Sequence, residues 1–331
     1  MATDNGLLEY ESGQQFNDWE EMTSSNGQTF EASFAPWSGR SGFDSEVRPW
    51  GLATGGRIVP HATADTITVE ALTAYMPTAA GANQDGLVSV ASDDLTIDRA
   101  DSMGSNTHLI TSIVVTASGA LDTVEGSEGT SFSDERGAAG GPPLIPVDAI
   151  EVGQVRLGST TAGTITPSEI VAVVGVTVER YDFPVMTLDP AVGEAHFATP
   201  LPAIHVGEVP KKVVVRGYVP IFAELPWCSD WVPADESHSV NSVETYSGPR
   251  GSVSRTLGQA SFTHRAQDGI TDPIVRLKNQ TLWFRWFQDR NRAPYQLTRG
   301  VLGIAREFPV GDDVLVNATL SAQQSTVDME G

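Results

Sequence analysis

Histidine, serine, cysteine and carboxylate side chains carry most catalytic and metal-binding chemistry, so their spacing is the first test for an active site. No two histidines lie within four residues of each other, which excludes a metal-binding pair on one helix turn. A site built from distant histidines and a carboxylate stays open, but each histidine is better interpreted as an ordinary core or surface residue. No serine lies in a Gly-x-Ser-x-Gly turn. The histidines are His61, His108, His196, His205, His238 and His264.

Neighbouring carboxylates can perform glycosidase chemistry or bind calcium. The run that begins at Asp93 fails as a calcium loop, because Leu95 and Ile97 occupy ligand positions. Among 42 acidic residues such doublets arise by chance, so we interpret them as solvated surface. The single cysteine, Cys228, has no base positioned beside it and is interpreted as a small buried apolar residue. We therefore predict no enzymatic activity, no metal and no cofactor.

The charge balance limits the partners of this chain. Its 331 residues include 20 Lys+Arg and 42 Asp+Glu, a net charge of −22, and such a surface repels phosphate. Residues 1–200 hold 7 basic and 28 acidic residues, a net of −21, whereas residues 201–331 hold 13 and 14, a net of −1. Tight nucleic-acid binding is therefore disfavoured. We also expect no membrane contact and a cytosol-like compartment, because neither a signal-peptide pattern nor a long apolar run is present.

Strand-forming segments separated by turn residues dominate the chain and predict an all-β fold. Residues 1–50 are acidic and rich in aromatics, which predicts either an irregular segment folded onto its own domain or an arm that docks on a neighbouring subunit. Residues 51–147 form a β-rich insertion that can decorate the outside of an assembly and that ends in a Gly-Pro turn at residues 140–143. Residues 148–331 are predicted to hold a β-sandwich that includes a strand across Ile170–Arg180.

The last 120 residues show the clearest pattern. Asp272 suits a helix N-cap and Pro273 the first helical position, which predicts a short helix near 272–279. Residues 252–263 alternate loosely and predict one half-exposed strand. In the next strand Leu282, Phe284 and Trp286 point one way and Trp283 the other, because strand side chains alternate. Val314, Val316 and Leu320 likewise share one face of a later strand. These seven residues are the predicted core or assembly residues.

Several C-terminal motifs resemble those of the major tail (tail tube) protein of long flexible-tailed bacteriophages. The most telling motif is the turn Phe308-Pro309-Val310-Gly311-Asp312-Asp313, which leads into a last strand that ends in Ala318-Thr319-Leu320-Ser321-Ala322. The run Thr281–Phe287 and the Asp272-Pro273 helix contribute to the likeness. The stretch Pro142–Arg156 also resembles segments of phage virion proteins.

This resemblance implies an antiparallel β-sandwich with a short helix that self-assembles into stacked, hexameric rings. The rings would form the tail tube, through which DNA passes without specific binding. The implied partners are further copies of the chain together with tail terminator, tape measure and distal tail proteins. The implied location is the virion tail, after assembly in the host cytoplasm. A strongly acidic chain suits such a conduit, since every phosphate neutralised by a cation would slow the passage of DNA.

Two other functions remain open from the sequence. A capsid decoration or baseplate protein would form closed trimers or a terminal ring instead of an open tube. A carbohydrate-binding or carbohydrate-active jelly roll would use its tryptophans, namely Trp227, Trp231, Trp283 and Trp286, to stack on sugars.

Overall fold

A computed structural model describes residues 5–101, 104–172, 184–266 and 268–330. The fold is almost entirely β, which confirms the predicted class, with one short α-helix, α1 (Pro273–Arg276), and a 3-10 turn at Pro167–Glu169. The strands are β1 (Leu7–Glu21), β2 (Thr29–Glu31), β3 (Glu46–Pro49), β4 (Gly51–Gly55), β5 (Ile58–Pro60), β6 (Thr66–Val69), β7 (Leu72–Tyr75), β8 (Leu87–Val90), β9 (Asp93–Thr96), β10 (Leu109–Val115), β11 (Leu121–Glu125), β12 (Ile150–Leu157), β13 (Ile170–Ala172), β14 (Met186–Asp189), β15 (Glu194–Phe197), β16 (Val213–Glu224), β17 (Cys228–Val232), β18 (Glu236–Thr245), β19 (Gly248–Leu257), β20 (Ala260–Ala266), β21 (Thr281–Phe287), β22 (Tyr295–Glu307), β23 (Val314–Ala322) and β24 (Val327–Met329).

The largest sheet has nine antiparallel strands in the order β17-β20-β23-β22-β21-β1-β16-β3, and β24 also pairs with β22. One face of this sheet holds an apolar core to which five neighbouring strands contribute, namely β20, β23, β22, β21 and β1. Helix α1 covers part of that core with the fully buried side chain of Ile274. This sheet is the layer that positions most of the predicted site residues.

The first 50 residues contain a central strand of the main sheet, where the sequence predicted an arm or an irregular segment. Strand β1 pairs with β16 along one side and with β21 along the other. Its side chains Leu8 and Tyr10 are buried in the main core. Deleting residues 1–50 would therefore remove the partner of both β16 and β21, and we expect that the remainder would not fold.

The predicted boundary at residue 148 does not separate two packed units. Strand β12 pairs with β10 from the preceding region, in a sheet ordered β11-β10-β12-β13. Two three-stranded sheets, β4-β7-β8 and β5-β6-β9, share one apolar core with it, and that core runs from Trp50 to Ile165 and also includes Val214. The insertion therefore uses strands on both sides of residue 148. Of the strand predicted across Ile170–Arg180, only β13 lies within the described residues.

The Gly-Pro segment forms a turn, as the sequence predicted. Gly140 has a φ of +74°, and a Cβ at this position would lie 2.0 Å from the carbonyl oxygen of Ser131. Glycine is required here because only its backbone tolerates both the left-handed conformation and the close approach. The loop is thereby folded back on itself beside β12.

Candidate functional site

The seven predicted residues occupy two faces of the main sheet. Leu282 and Phe284 are fully buried in the core under α1, and Trp286 lies partly buried at its margin. Trp283 is also fully buried, but it points to the opposite face, where it packs with Ala191 and Leu297. The alternation predicted from the sequence is therefore present, and both faces of β21 are covered.

Strands β21 and β23 do not pair with each other, because β22 lies between them. On β23, Val316 and Leu320 are fully buried and Val314 is partly buried. These positions therefore build the interior of the subunit. Whether any of them also contributes to assembly stays a prediction.

A long hairpin made of β18 and β19 was missed by the sequence analysis. Its ten residue pairs run from Glu236 opposite Leu257 to Thr245 opposite Gly248. The two strands pair with no other strand in the described part of the chain. At about 3.3 Å per residue the hairpin extends roughly 30 Å. The predicted strand over 252–263 is in fact two strands, with a break at residues 258–259 where the hairpin joins β20.

The hairpin carries apolar side chains that no other described part of the chain covers. Val240 is 69 % exposed and faces Val253 across the strands, and Tyr246 at the tip is fully exposed. A two-stranded hairpin alone in water is marginally stable. Such an element gains stability when its apolar side chains are buried against a partner.

A second set of exposed apolar side chains lies at the opposite end of the same strands. The hairpin leaves the sheet where Val232 of β17 pairs with Ser261 of β20, whereas Ala266 and Val314 mark the far end. The loops at that far end expose Ile270, Phe308 and Val310. The turn Phe308–Asp313, which carries the resemblance to tail proteins, is part of this end.

Three tryptophans line one cavity of about 480 Å³ beside the main core. Trp227 is 59 % exposed, while Trp231 and Trp286 are partly buried. Trp231 stacks on Phe262 at 6.4 Å between ring centroids and donates from Nε1 to Gln296 Oε1 at 3.1 Å. The fourth tryptophan of the sequence-based carbohydrate hypothesis, Trp283, lies on the other face of the sheet and is absent from this cavity.

Polar groups surround the cavity. Glu224 Oε1 and Arg290 Nη2 form an ion pair at 3.2 Å, with both side chains about half exposed. Ser229 and Asp230 also line the opening. Trp227 and Asp230 have φ values of +52° and +59°, a conformation that costs free energy for residues with side chains.

Cys228 borders this cavity and lies near His264, but the pair lacks the geometry of a nucleophile and its base. The Cys228 sulfur is 3.9 Å from His264 Nδ1, and that nitrogen lies 2.9 Å from the carbonyl oxygen of Pro226. A carbonyl can only accept, so Nδ1 holds the proton and cannot take one from the thiol. Burial further raises the pKa of the Cys228 thiol to about 12. His264 Nε2 lies 3.2 Å from Asp272 Oδ2, which ties β20 to the cap of α1.

A buried ionic network fastens the Gly-Pro loop to β12. The Glu151 carboxylate is almost fully buried, accepts from Gln154 Nε2 at 3.1 Å and pairs with Arg136, whose Nη1 donates to the carbonyl oxygen of Pro143 at 2.7 Å. Lys211 lies near this pair, and burial lowers the pKa of its ammonium from 10.5 to about 8. The network positions the loop, and nothing in it points to a ligand.

Lys211 makes stability depend on pH. The folded protein releases this proton near pH 8 and the unfolded chain near pH 10.5, so between these values the unfolded chain binds more protons. The free energy of unfolding of the natural protein, relative to a Lys211→Met variant, should therefore rise with pH across this window. We expect a rise of about 1 kcal/mol per pH unit from pH 8 to 10, measured by urea unfolding.

The thiol of Cys228 acts in the opposite direction and provides the control. Its pKa in the folded protein is about 12 and its ordinary pKa is 9.0, so above pH 9 the folded protein binds more protons than the unfolded chain. The free energy of unfolding therefore falls as pH rises above 9. A Cys228→Ala variant should keep the Lys211 effect and lose only this decline. A stability difference between the natural protein and Lys211→Met that stays constant over the window would contradict the assignment.

The described residues contain neither a metal-binding cluster nor a membrane-spanning helix. No group of three or more histidine, cysteine or acidic side chains in them is arranged to hold a metal ion. Their helical segments include none with the length and apolarity to cross a membrane. Comparison of the whole chain with protein-family models and with curated proteins finds no match.

Proposed function

We propose that this chain is a structural subunit that self-assembles into stacked rings and forms a phage tail tube. The observation that carries the proposal is the hairpin β18–β19, which extends from one end of the main sheet with its apolar side chains exposed. A second copy of the chain is the partner that this arrangement fits best, because the other end of the same strands exposes further apolar side chains.

The two apolar ends differ from each other, and this favours an open assembly. A contact between the hairpin of one copy and the far end of the next copy joins two different surfaces. Such head-to-tail contacts repeat without limit unless the rotation between neighbouring copies closes them into a ring. In a stack of rings, the hairpins of one ring would contact the far-end loops of the next ring. This contact would bury Val240 and Tyr246 at one end of the subunit and Phe308 and Val310 at the other.

Sheet edges supply a route to lateral contacts within a ring. Strand β3 covers β16 only from Val213 to Arg216, so within the described residues the outer side of β16 beyond Gly217 has no partner strand. The other edge of the main sheet is β17, a strand of five residues with a register shift between Ser229 and Val232. Unpaired edges invite pairing with another chain, and short or irregular edges suppress it until assembly.

The charge distribution agrees with a conduit for DNA. The −21 carried by residues 1–200 repels phosphate, and the near-neutral remainder adds no net positive charge that would hold a passing duplex. In this proposal other tail proteins, namely the terminator, tape measure and distal tail proteins, contact the ends or the lumen of the tube. DNA passes through without specific binding.

Negative-stain electron microscopy of the purified full chain at several salt concentrations tests the proposal. We expect tubes of stacked rings with a central channel, which grow longer as protein concentration rises. Closed trimers or single rings would instead favour a capsid decoration or baseplate protein. Particles that remain monomeric under all conditions, together with a sedimentation coefficient independent of concentration, would overturn self-assembly.

A further inference from the structure

We propose that the tryptophan cavity beside β17 binds a pyranose sugar. The cavity is lined by Trp227, Trp231 and Trp286 and by the ion pair Glu224–Arg290. Its volume of about 480 Å³ lies within the range of small-molecule sites, and its tryptophan walls are joined by a largely polar opening. This role is separate from self-assembly and does not depend on it.

The aromatic walls fit one side of a sugar ring. A pyranose presents C–H groups on its flat faces and hydroxyl groups around its edge. Indole rings provide large, flat apolar surfaces with little conformational freedom to lose on binding. Trp231 is already fixed in place by its stack on Phe262 and by its hydrogen bond to Gln296, so its position is set before a ligand arrives.

The polar groups at the opening fit the hydroxyl groups around the edge of the sugar ring. Glu224 and Arg290 pair with each other, and the Ser229 hydroxyl donates to Asp230 Oδ2 at 2.7 Å, but the partly exposed carboxylates keep lone pairs and the guanidinium keeps N–H groups that face solvent. A ligand with many hydroxyl groups can satisfy these remaining donors and acceptors together. An apolar peptide side chain would displace water from them without offering any hydrogen bond in return, which costs free energy.

The conformation of the backbone supports a role for Trp227 beyond packing. This residue has a φ of +52° and its ring is mostly in solvent. The strained backbone conformation therefore costs free energy that burial of the ring does not offset. Strained, exposed residues of this kind cluster at functional sites. In the proposed site the ring forms the outer wall against which the sugar stacks.

Saturation-transfer NMR on the full chain tests the site with defined probes, namely methyl β-D-glucopyranoside, methyl β-D-galactopyranoside, N-acetylglucosamine and chitotriose. We expect at least one of them to receive saturation, strongest at the C–H protons of one ring face. Isothermal titration calorimetry then gives the affinity. Absence of transfer to all four probes would overturn the proposal, as would saturation of tetramethylammonium alone, which would indicate a cation site.

Variants separate binding at this cavity from loss of fold. Trp227→Gly removes the ring at a backbone conformation that glycine adopts readily, so the melting temperature should be kept while affinity falls by about tenfold. Arg290→Gln should weaken binding while preserving the stacking signal. Tyr246→Ala, which removes a fully exposed aromatic ring at the hairpin tip, far from the cavity lining, is the control and should bind normally. Equal affinity in the natural protein and Trp227→Gly would refute the site.

Discussion

A variant in which residues 236–257 are replaced by a two-residue turn should fold normally and form no tubes. The hairpin can be removed cleanly, because the amide of Gly258 donates to the carbonyl oxygen of Asp235 at 2.9 Å, so the chain ends at its base already lie side by side. Its strands contribute no residue to any of the buried apolar cores of the described chain. We expect a melting temperature within about 3 °C of the natural protein. Electron microscopy and sedimentation velocity should show monomers only.

Point substitutions make this test more specific. Val240 and Val253 face each other on the hairpin, so Val240→Glu with Val253→Glu places two charges on the surface proposed to be buried in the assembly. The matched control is Val185→Glu, since Val185 is exposed to the same degree but lies outside the hairpin and the far-end loops. We expect the double variant to remain monomeric and the control to assemble. Tubes of normal length from the double variant would remove the hairpin from the assembly interface.

The second large effect should come from Trp283→Ala, which should destabilise the subunit by about 3–5 kcal/mol. The ring is fully buried, and its Nε1 donates to the carbonyl oxygen of Trp37 at 2.7 Å. The same residue's backbone amide donates to the buried Glu11 carboxylate at 3.2 Å. Truncation leaves a cavity and an unpaired buried carbonyl, and both add to the cost. Guanidinium unfolding followed by circular dichroism measures the change.

The other tryptophans provide a graded series for this prediction. Trp286 lies at the partly exposed margin of the core, so we expect Trp286→Ala to cost about 1–2 kcal/mol. Trp227→Gly should cost less still, because its ring is mostly in solvent. Equal losses of stability for Trp283→Ala and Trp286→Ala would contradict the difference in burial between the two rings.

Local sequence patterns predicted those elements that are stabilised by interactions between residues close together in the chain. The helix at Pro273–Arg276 begins where Asp272 and Pro273 predicted, because the Asp272 carboxylate caps it through the amide of Ile274 at 3.2 Å. The alternation in Thr281–Phe287 correctly assigned Phe284 and Trp283 to opposite faces. Such signals act over a few residues and need no distant partner.

Contacts between distant segments had no comparable signal. Strand β1 pairs with β16 and β21, more than 190 positions further along, so its irregular composition suggested an arm. The hairpin β18–β19 was missed because its alternating pattern has no buried face, and burial is what makes strand patterns easy to recognise. The four tryptophans looked alike in sequence, yet three share one cavity and one is in the core.

Composition and local pattern were enough to predict an acidic, all-β chain and the faces of its C-terminal strands, since charge is a sum over residues and alternation follows from backbone geometry. They did not predict that β1 lies at the centre of the main sheet, that the hairpin β18–β19 pairs with no other described strand, or that Trp227, Trp231 and Trp286 meet around one cavity. These features depend on which distant strands pair. That choice is made by the combined burial of many side chains, and no single segment encodes it.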